Sequence, residues 1–384
     1  MHPDPAFPRF HGRPDRGWVN DPNGCSYFDG RYHVFFQHNP DEPVHDRITW
    51  GHMSSADLVS WRSEPIALVP RAGELDAYGC WTGCVVDDGG VPTAVYSAVA
   101  DESHRAAVLL ARGSSGRWEQ SSTPVVPPLD RVRDPFVFTV DGHRYAIQGG
   151  RDLLLYGCDD LTSWEPLGTL LDAHPLAPAE IWECPNLIRF GDRWVLLVSL
   201  WNDGELTGVR YLVGDLTWPG PRFRPVTGGL VDRGPAFYAP QVLAMDDRVL
   251  MWAWSWELGR DPAEHGWAGC LTYARELTLA GDVLISRPAR ELDGLRGPRT
   301  DGLSAPGLCF EALLGPGPAE LWLDDTLVAE FEVPASALQP PRVLVDGSMV
   351  EIFDGTATPY TTRAYPTATS RWHIRGATDH FAFG

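Results

Sequence analysis

The sequence predicts an all-β protein: a five-bladed β-propeller followed by a short C-terminal β-sandwich. Three observations carry this. Five polar turns recur at a spacing of about 50 to 60 residues, each followed at once by a β-rich run. A motif rich in chemically useful side chains stands before each turn. Beyond about residue 295 the pattern changes to short alternating runs parted by Gly and Asp-Gly turns.

In chain order, the first unit has NDPNG (20–24), the turn Asp29-Gly30 and the run YHVFFQ. The second has WTG (81–83), Gly89-Gly90 and PTAVYS, and the third RDPF (133–136), Asp141-Gly142 and RYAIQ. The fourth has ECPN (183–186), Gly191-Asp192 and WVLLVSL, and the fifth YAPQ (238–241), Asp246-Asp247 and RVLMWAW. Gly and Asp suit two-residue hairpins because they tolerate positive φ. Outer-strand cues recur as DLVSW (57–61), DLTSW (160–164) and DLTW (215–218). A break at RELDGLRGPRTDG (290–302) divides the chain into a propeller over 1–295 and a sandwich over 296–384. About 80 residues is thin for an independent sandwich, so it should lean on the propeller for burial.

The chain has 384 residues, with 51 Asp and Glu against 31 Lys and Arg, a net charge near −20. That balance argues against a nucleic-acid partner, which needs a basic footprint. No run approaches a membrane span, and the start MHPDPAFPRFHGRP has no apolar signal core, so a cytoplasmic location is expected. Seven cysteines, an odd number without metal-ligand spacing, read as reduced thiols. No metal and no cofactor is implied, and nothing in the sequence sets the oligomeric state. Sixteen tryptophans are many; most should pack between blades, and a few at the mouth of a funnel would stack on sugar rings.

Equivalent points of radially arranged blades converge on the axis. Three motifs bring carboxylates there: Asp21, Asp134 and Glu183. Cleaving a glycosidic bond with retention needs two carboxyls about 5 Å apart, one attacking and one protonating the leaving oxygen. NDPNG suits the nucleophile, with Asp21 held at the start of a turn that Pro22 and Gly24 shape. ECPN suits the acid/base, since apolar neighbours Trp182 and Cys184 would raise the pKa of Glu183. In RDPF, Arg133 beside Asp134 should keep that carboxylate ionised. Taken singly, each motif has a plainer reading as turn, ion pair or chance. Gln37 could serve backbone, Trp254 the core and His45 a surface loop. Their joint recurrence at one point of successive units argues for a site.

The series GWVNDPNG, FFQHNP, WGHMSSADLVSW, WTG, RDPF, WECPN, FYAPQ and GW.G..T..REL resembles glycoside hydrolase family 32, the invertases and fructan hydrolases. The later VDGSMVEIFDG and TTRAYP resemble that family's C-terminal sandwich. The resemblance implies a retaining β-fructofuranosidase acting on sucrose or short fructo-oligosaccharides. It implies Asp21 as nucleophile, Glu183 as acid/base and Asp134 as the stabiliser that binds fructosyl hydroxyls. It also implies that Asn20, Asn23, Gln37, Trp50, Trp81, Thr82, Arg133 and Trp254 serve the fructose subsite. Three positions depart from the family pattern. His45 stands where a tryptophan usually lies, Ala236 where an acid precedes the FYA motif, and Thr82 where serine is usual. His45 is expected at the funnel mouth, influencing the leaving group.

Other readings compete. A fructosyltransferase, with a sugar as acceptor, or a fructan (inulin or levan) hydrolase would use the same site. A non-catalytic fructan-binding propeller predicts the loss of a carboxylate, and none is lost. Hydrolysis of sucrose 6-phosphate would need cations at the rim, for which Arg47, Arg71 and Arg105 are candidates.

Overall fold

A computed structural model describes residues 2–114, 116–218, 221–300 and 305–384. The first strands of the five repeat units are Gly17–Phe28, Gly79–Asp87, Arg133–Val140, Ile181–Phe190 and Tyr238–Ala244. Each pairs antiparallel with the β-rich run that follows it, and third and outer strands complete five sheets of four or five strands. Neighbouring first strands pack on one another in a closed cycle, the fifth returning to the first. Trp267–Ala268 closes the ring by pairing in parallel with Gly17 and Trp18.

The turn chemistry follows the sequence. Asp29 and Gly30 (φ 50° and 72°), Gly89 and Gly90 (66° and 86°) and Asp141 and Gly142 (51° and 85°) all have positive φ, as type I′ hairpins require. DLVSW and DLTSW mark the loops entering the outer strands Trp61–Ser63 and Glu165–Leu171, with Asp57 and Asp160 accepting from backbone N–H groups ahead of them. DLTW instead ends the third strand of blade four, Glu205–Thr217.

Apolar residues on facing blade surfaces make the core. Trp50 and Leu68 pack between blades one and two, Trp182 and Trp194 between three and four, and Trp252 between five and one. All seven cysteines are free, and six are buried. Among the described residues no helix is long and apolar enough to cross a membrane.

The C-terminal region packs a six-stranded sheet on a three-stranded one, around Phe310, Leu321, Val345, Ile352 and Trp372. It leans on the propeller through a buried polar network. Arg275 donates to Asp232 Oδ2 at 2.7 Å and Glu351 Oε2 at 2.6 Å, all three side chains being fully buried. His11, ahead of the first blade strand, bridges Asp346 Oδ2 (2.7 Å) and Glu351 Oε1 (3.2 Å). The REL and VDGSMVEIFDG motifs therefore hold the two regions and the N-terminal segment together.

Candidate active site

All five first strands carry a β-bulge near the point where the motif sits. Register shifts fall between Val19 and Pro22, Trp81 and Gly83, Arg133 and Phe136, Glu183 and Asn186, and Tyr238 and Gln241. An extra residue bends the strand and re-aims its side chains, here toward the axis. NDPNG is thus a bulged strand, not the turn its composition suggested.

Asp134, Cys184 and Ala239 each precede a proline yet hold φ of 59°, 47° and 48°. A residue before proline prefers extended backbone, and positive φ costs a non-glycine residue about 1–2 kcal/mol. Each strained N–H is held by a side chain of the preceding blade. Asp134 N donates to Ser97 Oγ (2.8 Å), Cys184 N to Asp134 Oδ2 (2.9 Å) and Ala239 N to Ser199 Oγ (3.1 Å). Below them, Asn186 donates to Pro240 O at 2.8 Å, and Gln241 links Cys25 N (2.9 Å) to Gly83 O (2.7 Å) across the axis.

The bulges surround a cleft of about 510 Å³. It gathers Asn20, Asp21, Gln37, His45, Trp81, Arg133, Asp134, Glu183 and Trp254 of the residues singled out by sequence. Asp21 Oδ2 accepts from Thr82 Oγ1 (2.6 Å) and Gln37 Nε2 (3.1 Å), and its Oδ1 from Asn20 Nδ2 (3.1 Å). Cys184 Sγ lies 3.4 Å from Asp21 Oδ2 and 3.6 Å from Asp134 Oδ2, tying the carboxylates of blades one and three to the residue beside Glu183. Glu183 Oε1 accepts from Arg133 Nη2 at 2.6 Å, and its Oε2 from the Tyr238 hydroxyl at 2.8 Å.

Several expectations need correction. Arg133 pairs with Glu183, not with its neighbour Asp134. Burial pushes the Asp134 carboxyl up to about 7; Arg133 offsets part of that, while Glu183 and Asp21 add to it. Burial likewise raises Asp21 to about 6 against the donated Thr82 bond, with Glu183 adding repulsion. Trp182 points into the core between blades three and four and donates to Ala177 O at 2.7 Å, while the Glu183 carboxylate is held by Arg133 and Tyr238. Trp50 and Asn23 are fully buried beneath the cleft and do not line it. Trp50 Nε1 donates to Trp81 O at 3.0 Å and so supports that residue from below. Asn23 fits its surroundings with its amide bonded to Pro22 O and Gln37 N. Thr82 is also buried, reaching the site through its bond to Asp21 and through the 2.5 Å bond that its Oγ1 accepts from Gln37 Nε2.

None of the three candidate rim cations lines the cleft. Arg47 is exposed beside Asp46, Arg71 is bound to Asp76, and Arg105 donates to Pro128 O. Ala236 is buried, with its N–H donating to Thr361 O. Sequence reading missed Trp18, Trp201, Leu206 and Tyr238 as lining residues. The aromatic of YAPQ was a signal for Tyr238, since its blade position matches Glu183 of ECPN.

Residues 11–288 match the model of the glycosyl hydrolases family 32 N-terminal domain. A sucrose-6-phosphate hydrolase of Zymomonas mobilis is 34% identical over 326 residues, covering 76% of this chain and 63% of that protein. A raffinose invertase of Escherichia coli is 34% identical over 325 residues, covering 76% of this chain and 66% of that protein. This chain thus spans a little under two thirds of the length of these relatives. The solved structure of a sucrose-6-phosphate hydrolase from Lactobacillus gasseri shares the fold, with a TM-score of 0.86 at 22% identity over 99% of this chain and 93% of that one. By family-model match and by sequence identity, this chain belongs to glycoside hydrolase family 32.

Proposed function

We propose that this protein is a retaining β-fructofuranosidase that releases fructose from sucrose or short fructo-oligosaccharides. The observation that carries this is the convergence of Asp21, Asp134 and Glu183 on one cleft floor, joined through Cys184. In the first step Asp21 attacks the anomeric carbon while the bond to the leaving oxygen breaks, and Glu183 gives that oxygen its proton. In the second, Glu183 takes a proton from water as the water attacks the same carbon and the bond to Asp21 breaks. Asp134 has Oδ2 committed to Cys184 N, leaving Oδ1 for a fructosyl hydroxyl. Trp81 and Trp254 offer apolar faces to the ring.

A neutral leaving group fits this cleft better than a phosphorylated one. Arg133 is the one Arg or Lys among the described lining residues, and it is paired with Glu183. A phosphate there would face three carboxyls with no free guanidinium or ammonium. The test is a product profile on sucrose, sucrose 6-phosphate, 1-kestose, inulin and levan at low and high sugar, with the anomeric configuration of the first product followed by NMR. Release of β-fructose first supports retention; release of the α-anomer first refutes it. A kcat/KM for sucrose 6-phosphate well above that for sucrose refutes the neutral leaving group. Dominant oligosaccharide products at high sugar would assign transfer rather than hydrolysis.

A further inference from the structure

We infer that His45 is a positioning residue for Asp21, acting through the amide of Gln37. The inference rests on Asp21 being the nucleophile. His45 Nε2 lies 3.2 Å from Gln37 Oε1, and Gln37 Nε2 donates to Asp21 Oδ2 at 3.1 Å. An amide oxygen only accepts, so this contact requires the hydrogen of His45 on Nε2. The imidazole is held in that pose edge-on between two indoles, with ring centroids 6.2 Å from Trp18 and 5.6 Å from Trp81. Burial lowers its pKa, favouring the neutral ring.

The consequence lies two bonds away. Gln37 is buried, and the two ends of an amide are nearly alike in size and shape. If the amide reversed, its oxygen would face the Asp21 carboxylate and its NH₂ would face His45. Gln37 Nε2 donates to Thr82 Oγ1 (2.5 Å) as well as to Asp21, so with His45 donating only one orientation satisfies all three partners, and that one gives Asp21 a donor. A donor to a carboxylate favours its ionised form, the form that attacks. Replacing His45 by a residue without a donor leaves the Gln37 oxygen unpaired and loosens the amide. The titratable groups facing Asp21 are Glu183, Cys184 and Asp134, and those facing His45 are His104, Asp46 and Glu183. All of them remain in a His45 variant.

Wild type, His45→Ala and His45→Gln separate this role from that of a cleft wall. The pH dependence of kcat/KM on sucrose reads the chain of bonds, and the ¹³C titration of the Asp21 carboxyl reads it without turnover. His45→Ala should move the acid limb and the Asp21 midpoint to higher pH by roughly one unit. Its kcat/KM should then fall about tenfold more at pH 5 than at pH 8, mainly through kcat. His45→Gln, whose amide NH₂ can donate, should restore most of both. In wild type, ¹⁵N shifts should report the Nε2–H tautomer. An Asp21 midpoint unmoved in His45→Ala, or an Nδ1–H tautomer in wild type, overturns the inference. If wild type released no fructose from any β-fructoside, the proposed function would fail, while the carboxyl titration and the tautomer would still decide this one.

Discussion

Arg133 turns away from Asp134, its neighbour in sequence, and closes on Glu183 with Nη2 2.6 Å and Nε 3.1 Å from Oε1. One guanidinium thus bridges blades three and four, while Asp134 is left to Cys184 and to the buried floor. Charge-assisted bonds of this kind contribute about 1.5–3 kcal/mol. Arg133→Met should therefore lower kcat/KM by roughly 10- to 100-fold, as steady-state kinetics on sucrose can measure. Arg133→Lys should recover little of the loss, because a single ammonium cannot reproduce the fork. Full recovery by lysine would reduce the role to net charge.

The two raised carboxyls set the acid side of the activity profile. Asp21 must be ionised to attack, and burial raises its carboxyl to about 6. The acid limb of kcat/KM should therefore fall between pH 6 and 7, well above the usual carboxylate range. A limb near pH 4 would contradict the desolvated floor.

Asp134 is raised to about 7, so its charged form is disfavoured in the folded protein relative to the unfolded chain. Between the two pKa values the native state binds the extra proton, and stability falls as pH rises. Asp134→Asn should raise Tm at pH 8 by about 2–4 °C. The gain should shrink below pH 6, and kcat should fall steeply at every pH. A variant less stable than wild type at pH 8 would mean that the carboxylate is structurally favourable there.

Glu183→Ala should remove leaving-group protonation and with it roughly 10²–10⁴-fold in rate on sucrose. Azide should restore part of the turnover on an activated fructoside, whose leaving group needs no proton, and a fructosyl azide should form. Rates near wild type on sucrose, or no azide product, would remove the acid/base assignment.

His11 gains two carboxylate partners on folding, and its pKa is raised despite the burial that alone would lower it. Its contribution is complete below pH 6.5 and is lost as pH climbs through the higher folded value. His11→Gln should therefore destabilise most at pH 5.5 to 6, with the gap to wild type narrowing in alkaline buffer. Thermal unfolding of both forms from pH 5.5 to 9 measures this; a constant gap would mean that His11 acts by packing alone.

The sequence by itself determined the repeat period, the five hairpins, the order of the motifs and the carboxylates that meet. These are local properties: turn residues that accept positive φ, and alternating runs that suit a pleated sheet. Only the tertiary structure decided which charged groups pair. Arg133 and Asp134 are adjacent in sequence, but the bulge between Arg133 and Phe136 aims them at different partners. The surroundings of Glu183, the buried places of Trp50 and Asn23, and the hold of His45 on Gln37 depend on neighbouring strands and blades. The same is true of REL and VDGSMVEIFDG, which bind one domain to the other across more than 70 positions of chain, as in the 76-residue separation of Arg275 and Glu351. A motif states which groups are available. The geometry that makes one a donor, another a buried acid and a third a strut arises only when the ring closes.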